Sequence, residues 1–134
     1  MCVAMRMRML IFFSAALHPR EKPFPPELDA RLSKLPGARL PLLQLAFGPG
    51  VPERVCIVTG AGADAVFRHR EERFDTLVTG EPRQSVFHYA KEHKLNVIFG
   101  GHYATETIGV CETAKAVEKK FGVPWVFLDE PTGI

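Results

Sequence analysis

An imidazole and a carboxylate, His102 and Glu106, stand four residues apart in the string Gly100-Gly101-His102-Tyr103-Ala104-Thr105-Glu106. On a helix that spacing puts both side chains on one face. Neutral imidazole and carboxylate are ordinary ligands for a divalent metal. The pattern alone is weak, because on most helices such a pair is a solvated face. Its setting changes the balance. A short apolar run, Asn96-Val97-Ile98-Phe99, precedes the two glycines, and ligands of α/β domains sit beyond the carboxyl ends of such strands. Gly100 and Gly101 let the backbone take positive φ and approach a ligand closely. Thr105 is placed to cap the helix that follows, leaving His102 at its mouth.

A second carboxylate, Glu81, lies at an equivalent junction in Thr79-Gly80-Glu81-Pro82. If the two strands are parallel neighbours, Glu81 is level with His102. Two roles fit it equally. It is either a helix-start carboxylate favoured by the dipole, or a group that transfers protons or supports a metal ligand from behind. The remaining histidines of the middle region, His69, His88 and His93, read as surface or boundary residues. Val58-Thr59-Gly60-Ala61-Gly62 resembles the start of a dinucleotide fingerprint but lacks its third glycine, so a tight strand-to-helix turn is expected there.

The elements that must position these groups alternate. Strands are expected at Leu42 to Phe47, Val55 to Val58, Phe74 to Val78, Asn96 to Phe99 and Pro124 to Leu128. The second of these is a continuous apolar run that suits a strand buried on both faces. Helices are expected from Asp64, as its cap, to Arg73, from Pro82 to about His93, and from the His102 turn to Phe121, closed by Gly122. Val86 and Ala90 share one face of the middle helix, as do Phe87 and Ala90. Ile108, Val110, Cys111, Ala114, Val117 and Phe121 recur at helical spacing in the last. This alternation predicts an α/β fold, a mostly parallel sheet with helices on its faces.

Upstream, Glu27 to Leu35 carries leucines 28, 32 and 35 at helical spacing, and Arg20 to Pro26 reads as a proline-rich linker. Residues 1–26 thus form an atypical apolar start and linker, and 27–134 the α/β domain. Met1 to Leu17 has the outline of a short signal peptide, but nothing downstream looks secreted, and a buried strand or a displaced start is the preferred reading. The apolar run is too short to span a bilayer.

At 134 residues with 46% hydrophobic and 24% charged residues, the chain is one globular domain by size. A net charge of +2, spread in both signs along the chain, speaks against nucleic acid as a partner. Cys2, Cys56 and Cys111 are too scattered for a disulfide scaffold or a paired-cysteine zinc site. Cys56 and Cys111 read as small buried hydrophobes in a reducing compartment, and a cytoplasmic protein is expected.

Taken together, Val58-Thr59-Gly60-Ala61-Gly62, Thr79-Gly80-Glu81-Pro82, Gly101-His102-Tyr103-Ala104-Thr105-Glu106-Thr107 and Phe127-Leu128-Asp129 resemble the carboxyl-terminal half of the Nif-three-like dinuclear metal-centre proteins. These are also known as GTP cyclohydrolase I type 2 homologues. The resemblance implies that His102 and Glu106 are two ligands of a two-metal site, with zinc, manganese or iron equally suited. It implies a homo-oligomer, a hexameric ring in the family, and a small-molecule substrate such as GTP for a metal-dependent hydrolase. Glu81 is the expected proton carrier. The family's upstream ligands, a His-His-Pro segment and a later aspartate, have no match here. His18-Pro19 stands alone, and Ala16 occupies the place of the aspartate. A catalytic zinc normally takes three protein ligands, so the chain is expected to be incomplete, with weak or no activity alone and an apolar surface left uncovered. The alternative is a non-catalytic interaction or scaffold protein that keeps the fold without a complete metal site.

Overall fold

The computed structural model describes residues 42–132, together with Ala30, Arg31, Lys34 and Gly37. The apolar start, the linker, His18-Pro19 and most of the helix expected from Glu27 lie outside the described residues.

Four strands, β1 (Leu43–Ala46), β2 (Val55–Val58), β3 (Thr76–Thr79) and β4 (Asn96–Phe99), form one sheet in the order β1-β4-β3-β2. β2, β3 and β4 are parallel, and β1 pairs antiparallel with β4. The α/β, mostly parallel sheet expected from the alternation is therefore present. β3 and β4 are buried along their whole length, as strands in the middle of a sheet are, and they include the buried polar residues Thr76, Thr79 and Asn96. β2 differs from expectation. It is the sheet's edge, and Val55 and Ile57 face solvent, Ile57 being 54% exposed. An apolar run says that one face is buried; whether the other is depends on strand order.

One face of the sheet carries the main core. Leu77, Val97 and Phe99 from the strands meet Ala63 and Val66 from a 3₁₀ helix (Gly62–Arg68), and Val86 and Ala90 from α2 (Gln84–Glu92). Burial of each larger aliphatic side chain contributes about 1.5–3 kcal/mol. Leu42, Val78 and Ile98 form a smaller cluster of their own. Phe87 is not part of the α2 core face. It is exposed and meets Phe47 edge-on, ring centroids 5.5 Å apart.

The expected helix from Asp64 to Arg73 is instead this 3₁₀ helix, followed by one α turn, α1 (His69–Glu72), ended by Arg73 in the left-handed region. Asp64 is not its cap. It lies in the first turn, where its carboxylate pairs with Arg83. The last helix, α3, runs from His102 to Phe121 and ends at Gly122 with φ 69°, as the sequence predicts. Its N-cap is Gly101 at φ 89°, a conformation that L side chains rarely take. Thr105 is thus one turn inside the helix and not its cap. From Ile108 onward the large apolar residues of α3 are exposed, Val110 by 62% and Phe121 by 65%, while Cys111 and Ala114 are half-buried.

Pro124 to Leu128 is not a strand among the described residues. The segment returns along α3, where the Trp125 indole N–H donates to Glu118. Strand propensity is realised only with a ladder partner, and this stretch pairs with none of the four strands. No helix of the described residues is long and apolar enough to cross a membrane.

Candidate metal centre

Because β2, β3 and β4 are parallel and in register, Val58, Thr79 and Phe99 end level with one another. The segments that follow are bonded together. The Gly60 carbonyl accepts from the N–H groups of Gly80 and Glu81, both at 3.0 Å. The Thr79 carbonyl accepts from Gly100 at 2.8 Å, and the Gly80 carbonyl from Gly101 at 3.1 Å. Thr105 closes the set from inside α3. Its hydroxyl accepts the Gly60 N–H at 3.0 Å and lies 2.9 Å from the Gly101 carbonyl, to which it donates.

This frame brings Glu81, His102 and Glu106 together, as the sequence predicts. Glu81 meets Nδ1 of the His102 ring. On the other side, Nε2 lies 3.2 Å from Glu106 Oε2. The His102 and Glu106 side chains are 35% and 53% exposed, so an ion from solvent can reach them. The hydrogen bond to Glu81 raises the imidazole above its ordinary pKa. Partial desolvation opposes this, and the Glu106 charge adds to it. Gly60 leaves the room required: a Cβ there would lie 2.5 Å from Glu106 Oε1 and 3.1 Å from His102 Nε2. Its φ of +62° already disfavours a side chain.

The donor pair fits part of a metal shell. Nε2 of His102 and the Glu106 carboxylate, 3.2 Å apart, are the donor types that would hold one divalent ion between them. A ligating histidine also characteristically gives its other ring N–H to a carboxylate, the position that Glu81 holds. Two donors do not make a complete shell, however. Among the described residues no group of three or more His, Cys, Asp or Glu side chains is arranged to hold a metal ion.

The other described histidines stand apart from this site. His88 is exposed. His69 and His93 pack with Tyr89, whose hydroxyl is 3.1 Å from His69 Nδ1. Burial, then the His93 charge, lowers the His69 pKa. Cys56 and Cys111 are free and half-buried, and burial raises the Cys56 thiol pKa, which suits their reading as small hydrophobes.

Sequence reasoning missed the role of Tyr103. Its hydroxyl donates to Asp129 Oδ1 and accepts the Glu130 N–H, each at 2.9 Å. The carboxyl-terminal segment is thereby tied to the turn that carries His102. Phe127 and Leu128 then form, with Val110, the apolar wall of a groove of about 380 Å³ that opens on His102 and Glu106. The position of Tyr103 directly after His102 was the only available signal.

Comparison with known proteins identifies the family and the fold. The model of the Duf34/NIF3 (NGG1p interacting factor 3) family matches residues 17–133. A GTP cyclohydrolase 1 type 2 homolog of Deinococcus radiodurans is 43% identical over 106 residues, 78% of this chain and 39% of that protein. One from Pyrococcus abyssi is 43% identical over 88 residues, 66% of this chain and 35% of its own length. Among solved structures, TTHA1606 from Thermus thermophilus superposes with a TM-score of 0.69 at 44% identity, covering 81% of this chain and 43% of that one. The ybgI protein, whose function is unknown, gives a TM-score of 0.68 at 27% identity over 80% of this chain and 41% of its own. The chain therefore spans well under half the length of these relatives.

Proposed function

Since this chain belongs to the Duf34/NIF3 family, we propose that His102 and Glu106 are its contribution to a divalent metal centre of a hydrolase-type site. The observation that carries the proposal is His102 itself, with Glu81 on Nδ1 and Glu106 3.2 Å from Nε2. A bound divalent ion supplies Lewis acidity and lowers the pKa of a bound water. The protein's own part is positioning. Glu81 holds the Nδ1 proton, so the Nε2 lone pair points outward as a donor. Glu106 supplies negative charge beside it. The placement of Glu81 behind the ring favours this orienting role over direct proton transfer to a substrate.

The remaining ligands are proposed to come from outside the described residues or from another copy in a homo-oligomer. The uncovered apolar side chains of the last turns of α3, Val117 and Phe121, support such a contact. Zinc, manganese and iron remain equal candidates. The names of the relatives suggest a nucleotide such as GTP as substrate. Elemental analysis tests the metal assignment. The purified chain should carry a divalent metal, and His102→Ala should lose it; an unchanged content in the variant sinks the assignment.

A second reading, a scaffold protein that retains the fold without the chemistry, is favoured by the lack of a third donor among the described residues. Turnover of GTP or phosphoesters with added manganese, zinc or iron separates the two. Metal-dependent turnover by this chain excludes the scaffold.

A further inference from the structure

We propose that the groove beside His102 and Glu106 takes the uncharged, apolar body of a small-molecule ligand, whose polar end lies at those two side chains. This rests on the reading of His102 and Glu106 as metal donors.

The His102 imidazole and the Glu106 carboxylate line the groove together with the apolar Val110, Phe127 and Leu128, and Tyr103, Thr107 and Thr132 complete the lining. A volume of about 380 Å³ is that of a small-molecule site, and such sites join an apolar wall to a few orienting polar groups. Among the described residues no lysine or arginine lines it. A phosphate chain laid along the apolar residues would lose hydration and gain no cation in return. An aromatic or aliphatic group placed there would release water from side chains that the chain's own core leaves uncovered, Val110 and Leu128 being exposed. The wall is also a held one. Tyr103 bonds Asp129 and Glu130, the two residues directly after Phe127-Leu128, to the first turn of α3. The same turn carries His102, so the apolar wall keeps a fixed distance from that residue.

Two chelators that share a metal-binding group and differ only in body test this: acetohydroxamate and benzohydroxamate, titrated by calorimetry into the zinc- or manganese-supplemented chain. Benzohydroxamate should bind about tenfold more tightly. In Val110→Asp and Leu128→Asp, both at exposed positions that do not hold the core, the preference should fall to about twofold or less. Equal affinity for the two probes, a preference that survives both substitutions, or binding of neither overturns the proposal. Elemental analysis of the same samples shows separately whether metal is bound. Loss of the metal assignment is thus distinguishable from loss of the ligand assignment.

Discussion

The Glu81 carboxylate sits on the ring nitrogen of His102 opposite the one that faces Glu106. A group in that position chooses the tautomer of the imidazole and fixes its rotation, but it occupies no place on the outward side. Glu81→Gln should therefore weaken metal binding by roughly 10–100-fold without abolishing it, whereas His102→Ala should abolish it. Competition with a chelator of known affinity measures both. A Glu81→Gln chain with wild-type affinity but no turnover would instead make Glu81 a proton carrier.

The raised pKa of His102 has opposite consequences for folding and for metal uptake. Its folded-state value lies above the ordinary one, so the favourable pairing with Glu81 and Glu106 is fully present in the metal-free chain below the unfolded pKa. It is lost as pH rises through the folded pKa. The stability effect is small, because the group is partly exposed and screened. Metal needs the neutral ring, so affinity should climb with pH through that same raised pKa. Titration of the imidazole by NMR, beside metal affinity measured at several pH values, checks both directions; affinity flat across the titration refutes the link.

Gly60→Ala should destabilise the fold by about 1–3 kcal/mol and displace Glu106, which its Cβ would approach to 2.5 Å. Gly122→Ala is the control. It has a similar φ of +69° but no neighbour within 4 Å, so it should cost only the backbone strain, about 1–2 kcal/mol, and leave metal content unchanged. Urea denaturation and elemental analysis report the two effects; equal behaviour of the two variants would mean that the crowding at Gly60 is immaterial.

Tyr103→Phe removes both hydrogen bonds to Asp129 and Glu130 while keeping the ring. The expected loss is about 0.5–1.5 kcal/mol per bond. The carboxyl-terminal segment should loosen, and Trp125, the single tryptophan of the chain, lies within it. Its emission should shift to the red and limited proteolysis near residues 123–132 should accelerate. Unaltered emission and cleavage would show that the segment is held by other contacts.

How far the chain could be read in advance depended on the range of each interaction. β3 and β4 were legible from short runs of apolar and β-branched residues, Thr76-Leu77-Val78 and Val97-Ile98-Phe99, each followed by a glycine-containing turn. The same apolar signature misplaced β2, since its edge position follows from strand order, a property of the whole sheet. Val126-Phe127-Leu128 has the residues of a strand but no ladder partner among the described residues, which no local pattern discloses. At the site, His102 and Glu106 were legible from helical spacing and Glu81 from its matching strand end. Thr105 was misread as a cap, because its actual partner, the Gly60 N–H, is 45 residues away. Tyr103 was missed for a related reason, its partners being 26 and 27 residues downstream.

Gly60 is held from both sides, its N–H by Thr105 and its carbonyl by the loop that carries Glu81. The loops around His102 are thus joined by the chain's own hydrogen bonds, with no proposed metal donor among the bonded groups. Unlike small zinc domains, whose folding is metal binding, this chain should release an ion to a chelator and remain folded, so loading and stripping become events of chemistry rather than of architecture.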